Sequence, residues 1–220
     1  MTSGSEGKLP DSERTVYNLN VALGLVRQRL AEADIPQQCR RAGATHEAEG
    51  AGARITLPYF GQPHLIRLPE ATVTPGDGAG ELPLRERVLV LRYLAQAGGM
   101  PLTGRLITYR DLPSGLVYFP TFSRRTTEPL ARYFGRTPEE LVAASRELGG
   151  QPGTLGDTSV VIHPFPRVPL TLVLWHGDDE FPPDVKIMFD ASITDYLEPE
   201  DVTVSCEIMT WRLVHYLRRR

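Results

Sequence analysis

Three apolar runs near the end of the chain, Ser159–His163, Leu170–Trp175 and Val185–Phe189, follow one another with turn-forming residues between them. This grouping constrains the fold more than any other feature. Strands that alternate singly with helices build parallel α/β sheets, whereas strands in adjacent groups build α+β folds. A second pair of short runs, Arg54–Tyr59 and His64–Leu68, flanks the turn residues Gly61-Gln62-Pro63 and repeats the pattern. The chain is therefore expected to be α+β, with a largely antiparallel sheet, helices packed on it and a helix at the C-terminus.

The helices are read from periodicity and caps. Val16, Leu19, Leu23, Val26 and Leu30 recur at steps of three and four, with Asp11 or Ser12 as cap and Pro36 as the stop. A second helix is expected over about Leu84–Ala97. Its Val88–Leu91 segment is apolar all round, which predicts a central position. Thr137-Pro138-Glu139-Glu140 has the order of a capping box with proline at the first helical position, and Gly149-Gly150 closes that helix. The last helix runs from about Pro199 to Leu217. Val202, Cys206, Met209, Leu213 and Leu217 form its stripe, widened by Val204, Ile208 and Trp211. Residues 41–52 and 70–81 read as loops. Residues 105–122, interrupted by Pro113-Ser114-Gly115, read as an aromatic β-hairpin. Residues 1–12 read as a disordered tail, which leaves 13–220 as one α+β domain.

Composition excludes several classes of function. A net charge of −3 points away from nucleic acid. No run reaches the roughly 18 apolar residues of a membrane span, and the N-terminus lacks the apolar core of a signal peptide. A cytoplasmic protein is expected, with a small molecule or a protein as its partner. No cofactor can be assigned. Two cysteines, Cys39 and Cys206, are too few for a zinc knuckle or an iron–sulfur cluster. Cys206 lies on the apolar stripe and reads as a buried hydrophobe. Cys39, beside Arg40-Arg41, is expected to be more exposed.

The segment Trp175–Asp201 holds the densest unusual chemistry. His176, Asp178, Asp179 and Glu180 could hold a hard cation or serve as acid and base. Their spacing is not that of an EF-hand, and the alternative is a solvated hairpin tip. If Leu170–Trp175 pairs with Val185–Phe189, residues 176–183 form the loop. Asp190 then lies at the far end, roughly 17–20 Å away at 3.3 Å per strand residue. Its expected partner is Arg167, and Trp175, Phe181 and Phe189 are expected in the core. His163 ends a strand beside Pro164 and could face a pocket. No pair among the five histidines has metal-ligand spacing. Tyr109, Arg110 and Tyr118 belong to an aromatic stretch interleaved with arginines, which could stack a planar ligand or bind phosphate. No phosphate loop and no nucleophile elbow is present.

Trp-x-Gly-Asp-x-Glu-Phe-Pro at 175–182, with Phe189-Asp190, Tyr196-Leu197 and Glu200-Asp201, resembles the signature of a prokaryotic family. That family is known only as a domain of unknown function, of about 200 residues, the size of one domain. Tyr109-Arg110-Asp111-Leu112-Pro113 with Gly115, and Phe165-Pro166-Arg167-Val168-Pro169, fit the same resemblance, which would span about residues 14–217. It implies relatives that carry an iron–sulfur domain and occur in anaerobes using corrinoid chemistry. The present chain lacks the cluster cysteines. The family brings no catalytic residues.

Two functions follow. The first is a binding or accessory module whose ligand meets Tyr109, Arg110, Tyr118, His163, Arg167, Trp175, His176, Asp178 and Glu180. The second is a metal-dependent enzyme using the acidic loop 176–180.

Overall fold

The structure, a computed structural model, describes residues 11–50, 52–177 and 180–219. The expected tail lies mostly outside them. The first helix, α1 (Asp11–Ala31), includes both Asp11 and Ser12. The chain then continues as α2 (Ile35–Ala42), β1 (Thr45–Glu49), β2 (Gly52–Tyr59), β3 (Gln62–Leu68), β4 (Thr72–Pro75) and α3 (Leu84–Gln96). The second half comprises β5 (Leu106–Thr108), α4 (Gly115–Arg125), α5 (Thr127–Phe134) and α6 (Pro138–Arg146), then β6 (Gln151–Pro152), β7 (Thr158–Phe165), β8 (Val168–Trp175), β9 (Asp184–Asp190) and α7 (Pro199–Arg218).

The fold is α+β and every strand pair is antiparallel, but there are two sheets rather than one. One has the order β1-β2-β3-β4 and the other β5-β9-β8-β7-β6. They meet where the Phe60 N–H donates to the Pro164 carbonyl at 3.0 Å. A single apolar cluster joins them, from Ile55, Leu57 and Ile66 through Tyr93 and Phe165 to Leu172, Phe189 and Met209. Tyr93 stacks flat on Phe165, with ring centroids 4.1 Å apart, a geometry that adds to simple area burial. As its apolar run predicted, Val88–Leu91 of α3 is buried on all sides.

Several expectations are corrected. Pro36 does not stop the first helix. It sits in the first turn of α2, where its missing N–H costs nothing, and Asp34 caps that helix by accepting the Gln37 N–H. Residues 41–52 are not loop, because β1 pairs with β2 from Thr45↔Thr56 to Glu49↔Gly52. Every β1 residue is exposed, so burial left no apolar signal to read. Part of 70–81 is likewise the edge strand β4.

The aromatic hairpin is the largest change. Only β5 is a strand; Tyr109–Asp111 is a 3-10 turn and Gly115–Arg125 is helix α4. The Tyr109 ring stacks on Phe122 at 4.0 Å, which folds the turn back onto α4 and overrides the local strand preference. Gly115 allows that reversal, since a Cβ there would stand 1.9 Å from the Tyr109 carbonyl oxygen. In the final helix Val202, Cys206, Met209 and Leu213 are buried as expected, while Trp211 is exposed. Thr137 and Pro138 start α6 as expected, but the Thr137 side chain makes no capping hydrogen bond.

Candidate functional site

Helices α3 and α7 run antiparallel and are linked by a ladder of opposite charges. Arg212 bonds Glu86, Arg85 bonds Glu207 at 2.6 Å, and Arg92 bonds Asp201 at 2.9 Å. Arg85, Arg92 and Asp201 of this ladder line one wall of a cleft of about 1030 Å³. Helix α1 closes it from one side with Thr15, Asn18, Leu19 and Ala22, and α4 from the other with Tyr118, Thr121, Phe122 and Arg125. Between Arg85 and Arg92 the wall is apolar, because Val88 and Leu89 occupy the positions three and four along the helix, on the same face.

The two ends of the cleft differ in charge. At one end Arg85 and Arg125 both face Glu207, the latter at 3.8 Å, so two cations share one anion. At the other end Arg92 stands against Asp201, with Glu198 and Glu200 nearby. Asp201 is buried and only its Oδ1 is bonded, to Arg92; its Oδ2 has no hydrogen-bond partner. Burial pushes the Asp201 carboxyl up against the opposing pull of Arg92. An unpartnered buried carboxylate oxygen is costly unless something else supplies the donor. Tyr109 completes this end, its hydroxyl accepting from Thr203 at 2.9 Å.

The residues singled out in the sequence divide. Tyr109 and Tyr118 line the cleft. Arg110 does not; its guanidinium lies 3.9 Å over the Phe119 ring. His163 is exposed at the irregularity in the β7–β8 register. Arg167 is exposed at the β7–β8 turn, where its backbone N–H donates to the Tyr93 hydroxyl at 3.3 Å. Trp175 is half-buried under the Lys186 ammonium, 4.7 Å from its ring. In the acidic loop, the His176 Nε2 lies 3.2 Å from Thr158 Oγ1 and its backbone N–H donates to Asp157. Glu180 is exposed. Asp178 lies outside the described residues. No group of three His, Cys, Asp or Glu side chains arranged to hold a metal is found among the described residues.

The expected hairpin forms, with Trp175↔Asp184 at its loop end and Leu170↔Phe189 at the other, so Asp190 is remote from the loop. The expected Asp190–Arg167 ion pair is absent. Asp190 instead accepts from Thr103, Gly104 and Ser192, because it caps the 3-10 turn Ala191–Asp195 that follows β9. Phe181 is exposed, not in the core. Cys39 is buried rather than exposed, on the inner face of α2, and burial pushes its thiol up to about 11.

Sequence reasoning missed the arginines and acids of the ladder. A trace of them was readable: Arg85 and Arg92 lie seven residues apart, and so share a face.

Comparison with curated proteins and with solved structures finds no match. A family model described as "Domain of unknown function (DUF3786)" matches residues 34–212. The match takes in the cleft walls on α3, α4 and α7, while α1 precedes it. No helix among the described residues is long and apolar enough to cross a membrane.

Proposed function

The chain belongs to this family of unknown function, DUF3786, and we propose that it is a binding module whose ligand is a small organic molecule held in the cleft between α1, α3, α4 and α7. The observation that carries this reading is the cleft itself. Its volume of about 1030 Å³ is at the upper end of the range for small-molecule sites. Its walls combine an apolar floor with a few convergent polar groups, as such sites do. Leu19, Val88, Leu89, Phe122 and Val204 supply the floor; Tyr109, Tyr118, Arg85, Arg92 and Asp201 supply the polar groups.

The same reading places the protein in the cytoplasm, in keeping with two unpaired, buried cysteines. It takes residues 13–220 as one unit, supported by the continuous core. It excludes nucleic acid as the partner, since a net charge of −3 offers no general attraction to phosphate.

The test is ligand-observed NMR with a cocktail of aromatic fragments, on the full chain and on Ala22→Trp, which places an indole inside the cleft. Fragments are expected to bind the native chain and to lose about tenfold or more in affinity to the variant. Absence of binding, or equal binding to both, would overturn the reading.

A further inference from the structure

We infer that the cleft takes an amphoteric molecule, with an amine at one end and a carboxylate at the other; this rests on the cleft being the binding site. The two poles differ in kind. Arg85 and Arg125 share the single carboxylate of Glu207, which leaves one positive charge in excess. Planar guanidinium groups recognise a carboxylate by paired N–H donors. At the other pole Glu200 and Asp201 line the cleft beside the single cation of Arg92, which Asp201 contacts, and Glu198 lies near enough to act on it. The positive end of the α7 dipole, about half a charge, offsets only part of that excess.

The independent sign of a ligand is Asp201. Its side chain is 4% exposed, and it lines the cleft with Oδ2 unpartnered. The Arg92 guanidinium is already committed to Oδ1, so the missing donor must come from elsewhere. A ligand amine beside Asp201 brings a positive charge to the acidic pole. Arg85 and Arg92 are seven residues apart, which sets the poles about 10 Å apart along α3 at 1.5 Å per residue. Val88 and Leu89 lie between them, so the middle of the ligand is apolar. A molecule bearing an amine and a carboxylate across an aromatic ring matches this order of polar, apolar and polar contacts.

The experiment is a titration of the full chain, followed by NMR at the backbone amides of Tyr118, Thr203 and Val204. The probes are 4-(aminomethyl)benzoate, its single-ended relatives benzoate and benzylamine, and the neutral 4-methylbenzamide. The two-ended probe is expected to bind about tenfold more tightly than either single-ended one. Arg125→Ala, at an exposed residue, removes its advantage over benzylamine, and Asp201→Asn its advantage over benzoate. Should Asp201→Asn not fold, Glu200→Gln at the same pole weakens the two-ended probe by about twofold while benzoate is unchanged. Equal affinities for the one- and two-ended probes, or an advantage that survives both variants, would overturn the inference. If 4-methylbenzamide shifts the cleft amides and 4-(aminomethyl)benzoate does not, the amphoteric assignment fails and the cleft reading stands. If no probe shifts them, both fail.

Discussion

The carboxylate of Asp190 accepts the backbone N–H of Gly104 at 2.7 Å. The same carboxylate takes the N–H and hydroxyl of Thr103, both at 3.0 Å, and the N–H and hydroxyl of Ser192 at 2.9 and 2.7 Å. One side chain thus ties the segment after α3 to the end of β9. Asp190→Ala leaves the buried N–H and hydroxyl of Ser192 unsatisfied and frees the segment at Thr103 and Gly104, and is expected to cost about 2–4 kcal/mol in denaturant unfolding. A loss below about 1 kcal/mol would show that the knot is not structural. Burial alone would raise the Asp190 carboxyl. The hydrogen bonds from Thr103 and Ser192 outweigh it and hold the carboxyl well below the usual range. Its contribution is therefore present above about pH 4 and is lost only as pH falls through that depressed value.

His64 predicts a second dependence on protonation, of the same sign but in a higher pH window. It is buried, with Nδ1 donating to the Gln62 carbonyl at 3.0 Å and its ring against the edge of Tyr59. Burial lowers its pKa, against the raising effect of the Gln62 hydrogen bond; Arg212, Glu86 and Asp77 are the charges that face it. The unfolded chain takes up the proton near pH 6.5, before the folded chain does. Stability from neutral His64 is thus complete above that pH and declines as pH falls through the folded pKa. Denaturant midpoints measured from pH 7.5 to 5 should fall more steeply for the native chain than for His64→Gln. Parallel slopes would remove His64 from this role.

Both thiols should be inert while the protein is folded. Cys39 is 1% exposed and Cys206 is fully buried, and burial pushes both thiols up, which suppresses the reactive thiolate. Titration with an aromatic disulfide reagent at neutral pH should label neither within minutes and both after denaturation. Rapid labelling of Cys39 in the native chain would mean that α2 opens.

Helix α1 carries a built-in weakness beside the cleft. Gly24 interrupts it, and a Cβ there would meet nothing within 4 Å. The helix is held chiefly through buried Val26 and Leu30 near its C-terminal end. Gly24→Ala is expected to stabilise α1 by about 0.5–1 kcal/mol, read as slower amide exchange over residues 18–24. Exchange that is unchanged or faster would show that the glycine is needed.

Legibility followed the range of the interactions. The hairpin of β8 and β9 was readable because turn residues separate two apolar runs, and pairing then separates Asp190 from the loop. The helix α4 was not readable, because Leu116, Val117 and Tyr118 look like a strand yet are exposed. What decides for a helix is the stacking of Tyr109 on Phe122. Strand β1 was missed for the complementary reason: a wholly exposed edge strand has no apolar alternation. Tyr109 and Tyr118 of the cleft stood out in the sequence as aromatic residues among arginines. Arg85, Arg92, Arg125 and Asp201 did not, since charged residues on amphipathic helices ordinarily face water.

By itself the sequence determined what depends on neighbours along the chain: the α+β class, antiparallel pairing, the central position of α3 and the buried stripe of α7. Local periodicity and turn chemistry are enough for these. Only the tertiary structure decided that there are two sheets, that Asp190 binds backbone instead of Arg167, and that a bipolar cleft exists. Its ladder joins Arg85 to Glu207 across 122 positions and Arg92 to Asp201 across 109. Which of many arginines meets which acid depends on how two helices dock, and that is settled by burial of the apolar faces between them.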